Sequence, residues 1–323
     1  MIRLFLLLLL TSSLFAKYNN CNFKNKDYED ICKKVVKKGV SYRYANQFLL
    51  SYAKTQKFDE ISWKYLQPKF IKYHRTQEKK ANNVLVKYVP DIVKNLKKYR
   101  YAYDKAERKY DVNREIISAI LMKETKLGKI KPKHDAFIVF NTIVVRTNPK
   151  SKREKWLHNM GKTNMVSIIN YCYKAGLTPQ KCNLPSSYAG AVGIAQFMPN
   201  SFVYVEGYKT KYGNLSKMED AIISTAKFLH KKAKFDMLID WANMPDIAKI
   251  ESQWYEYEFT HKNASFVYSS GKNQKKYDCF SCNKPELYYL KGYVKKIMRY
   301  NNSSNYAMGV LRLAYDAYKM GKD

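Results

Sequence analysis

N-R-E-I-I-S-A-I-L-M-K-E-T-K-L-G, running from Asn113 to Gly128, is the stretch from which the fold of this chain can be read. Ile117, Ile120 and Leu121 recur at i, i+3 and i+4, the spacing that brings side chains onto one face of an α-helix. One turn further along that face stands Glu124. Asp111 or Asn113 is placed to cap the start of such a helix, and Gly128 to supply the left-handed turn that ends it. A carboxyl at the end of an apolar stripe is partly desolvated, which disfavours its charged form and raises its pKa. A carboxylic acid still protonated near neutral pH is what a general acid needs. The plainer reading is a solvated glutamate paired with Lys123 or Lys129, and for an arbitrary glutamate it is the commoner one. The residues downstream reverse that order.

The second informative stretch is S-S-Y-A-G-A-V-G-I-A-Q-F-M-P, from Ser186 to Pro199. Gly190 and Gly193 lack a Cβ, so another backbone or a substrate can approach closely. Gln196 is a long polar group in an apolar run, able to donate to and accept from an amide or a sugar. Pro199 suits the first turn of a following helix. A tightly packed helix–loop–helix accounts for the glycines but leaves Gln196 without a role.

The rest of the chain bounds the answer. At 323 residues it is long enough for one or two domains, and an apolar content of 46% excludes general disorder. With 59 basic against 27 acidic residues the formal charge is +32, which implies an anionic partner: nucleic acid, a membrane surface or an acidic polymer. Arg3, the apolar run Leu4 to Leu10 and the small residue Ala16 read as a secretory signal peptide over residues 1–16, too short for a membrane span. Export to the periplasm argues against nucleic acid despite the charge. Six cysteines fall into three local couples, Cys21 with Cys32, Cys172 with Cys182 and Cys279 with Cys282, and an oxidising compartment lets such couples form disulfides. The C-F-S-C at Cys279 has no second half for a metal site, so a structural bridge or free thiols are expected there. Residues 17–100 are Lys- and Tyr-rich with helical apolar spacing and no chemical motif. They read as a helical scaffold with a solvated basic face. His134 and Asp135 are expected to cap the next helix. Residues 251–290 alternate aromatics and are expected to form a small strand-rich excursion, and a last helix over Tyr306 to Tyr318 to pack back on the core.

Taken together, K-E-T-K-L-G at Lys123 to Gly128 and S-S-Y-A-G-A-V-G-I-A-Q-F-M-P-N-S-F at Ser186 to Phe202 resemble the lytic murein transglycosylases of the membrane-bound lytic transglycosylase B family. That family carries E-T-x-x-G, with its catalytic Glu first, and A-G-A-x-G-x-x-Q-F-M-P-S-S. Asp220 to Leu229 is similar to its D-A-I-x-S-x-A-x-Y segment, and Arg299 to Met308 to its R-Y-N-x-S-x-x-Y-A-M segment. The four motifs keep their order across residues 111–318. The resemblance implies a mainly α, lysozyme-like helical catalytic core over 101–323, with an N-terminal helical extension over 17–100. It implies Glu124 as the catalytic residue. It also implies Ser187, Gln196 and Asn301 as groups that orient Glu124 and the substrate, with Tyr300 lining the groove. Arg153 is the nearest match to the family's basic element between the first two motifs. Family members often carry an Asp-rich calcium loop after F-M-P. Here Glu206 to Asn214 reads E-G-Y-K-T-K-Y-G-N, with lysines where oxygen ligands are needed, so neither metal nor cofactor is expected.

The implied reaction is non-hydrolytic cleavage of peptidoglycan between N-acetylmuramic acid and N-acetylglucosamine, giving a 1,6-anhydro end. Peptidoglycan carries peptide carboxylates, so the positive charge supplies a long-range attraction to it or to other anionic envelope surfaces, screened by salt. The nearest rival is a muramidase-type hydrolase, which needs a second carboxylate about 5–9.5 Å from the first; Asp135, Glu206, Asp220, Glu256 and Glu258 are available. A non-catalytic peptidoglycan-binding protein is a third reading, against which Glu124 within E-T-x-x-G counts.

Overall fold

The described residues of the computed structural model are 20–55, 57–68, 70, 80–182, 184–253, 257–259, 266–270, 273–275 and 285–322, and among them helices dominate. In chain order these are α1 (Lys26–Val36), α2 (Tyr42–Asn46), which runs into a π-helical turn at Gln47–Tyr52, α3 (Glu60–Tyr65), α4 (Val89–Lys98), α5 (Arg100–Tyr110) and α6 (Arg114–Thr125). There follow α7 (Ala136–Arg146), α8 (Lys152–Lys174), α9 (Met218–Lys231), α10 (Ile247–Gln253), α11 (Pro285–Met298) and α12 (Ser304–Lys322). A further helical stretch covers 80–86. Strands β1 (His134–Asp135) and β2 (Pro185–Ser186) pair antiparallel, His134 opposite Ser186. Strands β3 (Tyr257–Phe259), β4 (Phe266–Ser270) and β5 (Asn273–Lys275) form an antiparallel meander within the expected strand-rich excursion. Two compact units result, both discontinuous in sequence: the described parts of Met1–Gln67 with Pro132–Val203, and of Pro68–Lys131 with Tyr204–Asp323. Among the described residues no helix is long and apolar enough to cross a membrane. Residues 1–16 and the Cys279–Cys282 couple lie outside the described residues.

In the first unit, α7 packs along the long helix α8, and α1 lies against α8. The close approach of α7 and α8 needs Gly161, where a Cβ would sit 2.9 Å from Val144 Cγ2 and 3.3 Å from the Phe140 carbonyl. Phe48, Phe137 and Phe140 are fully buried and form the aromatic centre of this unit. Asp135 caps α7 as expected, its Oδ1 accepting from the Ile138 amide at 3.1 Å. His134 does not share that role: its Nδ1 lies 2.6 Å from Asp59 Oδ2, the N-cap of α3. Disulfides Cys21–Cys32 and Cys172–Cys182 span 11 and 10 residues and pin the lead-in to α1 and the exit from α8.

In the second unit α6 is the central element. The spacing predicts one buried face; instead Ile116 to Met122 are buried without interruption, because α4, α5, α9 and α12 all pack on this helix. Each of its buried Ile and Leu side chains contributes on the order of 1.5–3 kcal/mol. The start is also built differently. Asn113 spends its side chain on the Ile239 backbone, donating to the carbonyl at 3.0 Å and accepting from the amide at 2.7 Å. Asp111, with φ of 52°, ends α5 instead. The Arg114 amide is taken by Glu107 Oε1 at 3.1 Å, and the same carboxylate pairs with the Arg114 guanidinium. The end comes two residues earlier than Gly128: Lys126, Leu127 and Gly128 have φ of 49°, 56° and 78° in succession. The Lys126 and Leu127 amides close on Met122 and Leu121 carbonyls at 2.8 and 3.0 Å. This abrupt stop leaves Glu124 in the last turn of a helix anchored along its whole length.

Candidate active site

Glu124 is half-buried. Its Oε1 accepts a 2.6 Å hydrogen bond from the hydroxyl of Tyr306, in the first turn of α12. That turn is fixed by Ser303, whose Oγ accepts from the Tyr306 amide at 3.1 Å. The Tyr306 ring stacks on Tyr300, centroids 6.5 Å apart and planes 7° from parallel, and Tyr300 meets Phe228 of α9 edge-on at 5.0 Å. Burial pushes the Tyr300 phenol well above its usual pKa, and the charge of Glu124 pushes in the same direction. Tyr300 therefore stays a neutral ring beside the carboxylate. Asn301 is exposed, one residue on, and its carbonyl accepts from the Ser303 amide at 2.7 Å. The second unit thus brings Tyr300 near Glu124, while the backbone bonds of Asn301 run to Ile297 and Ser303. It adds Tyr306, which lies within the Arg299 to Met308 segment but to which the resemblance assigns no role.

Ser187, Gln196 and Arg153 belong to the first unit. Ser187 follows β2 and ties a tight turn: its amide and carbonyl bond Ala191 O and Gly190 N at 2.9 and 2.8 Å, and its Oγ accepts from the Ala191 amide at 3.3 Å. Gly190 is required here. Its φ is +81°, and a Cβ would lie 2.3 Å from Phe140 Cζ. A second turn, closed by reciprocal bonds between Val192 and Phe197 at 2.8 and 3.0 Å, holds Gln196 in the left-handed region at φ 47°. Its Nε2 donates to the Gly193 carbonyl at 2.8 Å, so the side chain is held by its own turn. A non-glycine residue in that region carries about 1–2 kcal/mol of strain, which is stored most often at functional sites. The strain is invisible in sequence, where only the out-of-place polarity of Gln196 marked it. Arg153 lies in the first turn of α8, and its Nη2 donates to the Leu66 carbonyl at 2.6 Å. Tyr65, beside Leu66, packs on Tyr188 with ring centroids 5.3 Å apart, so Arg153 is linked to the Ser187 turn.

The chain matches the family model of the transglycosylase SLT domain over residues 24–315. It belongs to that family. Its fold is similar to the Escherichia coli lytic transglycosylase Slt35 in complex with calcium, with a TM-score of 0.59 and 19% identity over 93% of this chain and 95% of that one. It is also similar to the soluble lytic transglycosylase SltB1 from Pseudomonas aeruginosa, with a TM-score of 0.58 and 18% identity over 91% and 100% of the two chains. SltB3 from Pseudomonas aeruginosa, in complex with NAG-anhNAM-pentapeptide, gives 0.57 and 14% over 89% and 77%. No curated protein matches the chain by sequence. The architecture is therefore the mainly helical, lysozyme-like one of SLT transglycosylases.

For this member of the SLT family, the fit of calcium to the loop from Glu206 to Asn214 can be judged from its donor atoms. Calcium takes 6–8 oxygen ligands at about 2.3–2.6 Å. Here Glu206 is already engaged by Lys109 at 2.6 Å, by the Tyr110 hydroxyl at 2.7 Å and by Lys227 at 3.3 Å. Asp220 accepts from the amides of Tyr208 and Asn214 at 2.7 and 2.8 Å, and the Tyr208 carbonyl accepts from Lys105 at 2.7 Å. These oxygens are already engaged by lysine ammonium groups, a phenol and backbone amides, so the donor set does not fit calcium.

Proposed function

We propose that this SLT-family transglycosylase cleaves the β-1,4 bond between N-acetylmuramic acid and N-acetylglucosamine in peptidoglycan without consuming water, and that Glu124 acts first as acid and then as base. The observation that carries this reading is the half-buried Glu124 carboxyl, fixed at the end of a fully packed helix by the Tyr306 hydroxyl. Protonated Glu124 gives its proton to the glycosidic oxygen as the C1–O bond breaks, and the N-acetylglucosamine side leaves as an alcohol. The N-acetyl oxygen of the muramoyl ring traps the positive charge at C1. Glu124, now a carboxylate, takes the proton of the C6 hydroxyl. That oxygen closes on C1, the trapping bond opens, and the products are a 1,6-anhydro end and the regenerated acid. The anhydro sugar bound to SltB3 is a product of this kind.

A hydrolase of the usual type needs a second carboxylate to activate water. Asp135, Glu206 and Asp220 each serve a local structure: an α7 cap, a lysine-held loop and a pair of backbone amides. Glu256 lies outside the described residues, and Glu258 falls in β3. One side chain used twice is the economical alternative. Ser187, Gln196, Arg153, Tyr300 and Asn301 are proposed as the substrate-binding groups, and peptidoglycan strands, not nucleic acid, as the partner. Residues 1–16 are proposed as an export signal, which places the enzyme in the periplasm.

Mass spectrometry of digested sacculi tests the reaction, since an anhydro end is one water lighter than a reducing end. Anhydro products are expected, and reducing ends would overturn the reading in favour of hydrolysis. Glu124→Gln is expected to abolish cleavage while preserving binding to sacculi. Retained cleavage removes Glu124 from the chemistry.

A further inference from the structure

Asn82 belongs to the N-terminal stretch in which no chemical motif was found, yet it is only 3% exposed and sits at the junction of the elements that carry the site. Its Oδ1 accepts from Lys123, the residue before Glu124. Its Nδ2 donates to the carbonyl of Asn305, the residue before Tyr306, at 2.9 Å. The same Nδ2 donates to Glu251 Oε1 at 3.2 Å, and Glu251, 5% exposed, faces Arg312 at 3.9 Å. The amide therefore has its oxygen toward an ammonium and its nitrogen toward a carboxylate, which fixes its orientation electrostatically. The Lys123 ammonium also lies 4.9 Å from the centroid of the Tyr306 ring. Gly309 of α12 makes the room: a Cβ there would sit 2.2 Å from Asn82 Oδ1 and 2.5 Å from its Cγ.

We infer that Asn82 is a positioning residue for the transglycosylase reaction, holding Lys123 and the Asn305 backbone together and so setting the Glu124–Tyr306 pair. The inference rests on the reading of Glu124 as the catalytic acid and base. The side-chain bonds of Asn82 go to Lys123, Asn305 and Glu251, and Asn82 is given no part in the chemical step. It acts through the residues that precede Glu124 on α6 and Tyr306 on α12. A cation over the Tyr306 ring favours the phenol as a donor, because electron density is drawn from the ring. A buried asparagine whose only task is to join helices would lower stability on removal and leave turnover per folded molecule intact. A positioning residue lowers kcat, because a carboxyl displaced by even an ångström loses its near-attack geometry.

The experiment compares Asn82→Leu, Lys123→Met and Lys123→Arg in the full chain on soluble, uncrosslinked glycan strands, with circular dichroism and melting curves to confirm folding. Asn82→Leu and Lys123→Met are expected to lower kcat about tenfold or more, with KM within about twofold of the parent. Lys123→Arg, which keeps a cation over the ring, is expected to recover most of the lost kcat. Should Asn82→Leu fail to fold, Lys123→Met decides the matter alone, since Lys123 is only half-buried. Unchanged kcat in folded Lys123→Met, or a loss confined to melting temperature or KM, overturns the inference. Activity retained in Glu124→Gln would instead overturn the reading beneath it, so the two failures are distinguishable.

Discussion

The hydroxyl of Tyr306 donates to Oε1 of Glu124 across 2.6 Å. This bond joins two segments 182 residues apart and locks the carboxyl into one orientation. It also offers a partner whose grip changes with the charge state of the acid. A hydrogen bond to an ionised group is worth about 1.5–3 kcal/mol, against about 1 kcal/mol for a neutral one. The contact therefore holds the carboxylate, the form that exists midway through the proposed reaction, more firmly than the acid.

Tyr306→Phe keeps the ring, its stack on Tyr300 and its contact with the Lys123 ammonium, and removes only the donor. The expected result is a loss of about 10–100-fold in kcat, from roughly 1.4–3 kcal/mol at one tenfold per 1.4 kcal/mol. The melting temperature is expected to stay within about 3 °C of the parent. Full turnover in the variant would mean that the carboxyl is oriented by other groups.

Gln196 gives a different signature, because its backbone is strained and its side chain closes its own turn. Gln196→Gly relieves the left-handed conformation and deletes the bond to Gly193. The two effects oppose each other, about 1–2 kcal/mol gained against about 1 kcal/mol lost, so stability is expected to be unchanged or slightly higher. If the side chain also meets the glycan, turnover falls by at least about tenfold in a protein that melts no lower. Wild-type turnover in a variant of unchanged stability would leave Gln196 as a turn residue only.

How much of this was legible in sequence follows the range of the interactions. The helix carrying Glu124, the Asp135 cap and the pairs Cys21–Cys32 and Cys172–Cys182 are local, and spacing reveals them. The burial of α6 on nearly every side was not legible, because which helices surround it depends on tertiary packing and not on its own period. The same holds for Asn113, whose partner Ile239 lies 126 residues away. Tyr306 stood inside a quoted motif, but nothing in a list of residue types says that its hydroxyl reaches Glu124. Asn82 gave no signal at all: the first of two adjacent asparagines, just after Lys79 and Lys80, reads as surface, and only its contacts with Lys123, Glu251 and Asn305 reveal otherwise.

The loop from Glu206 to Asn214 allows a test of metal independence in which the sign can be worked out. Burial alone would raise the Glu206 carboxyl, but the hydrogen bonds from Lys109 and Tyr110, with Lys227 behind them, hold it below the usual carboxylate range. A carboxylate depressed in the fold contributes stability that is present above its unfolded value, near about 4.3, and is lost as pH falls through the folded value. Glu206→Gln keeps the shape and removes the charge. The stability gap between parent and variant is therefore expected to be widest at neutral pH and to shrink below about pH 4. Its size is expected to be about 1 kcal/mol, since Lys109 is half-exposed and the pair is screened. Because Glu206 is already neutralised by Lys109 and Lys227, chelation by EDTA or added calcium is expected to leave the melting temperature of the parent unchanged. A drop of several degrees on chelation, reversed by calcium, would show that the loop binds the metal after all. A gap that persisted undiminished into acid would show that the Glu206 charge is not what holds the loop.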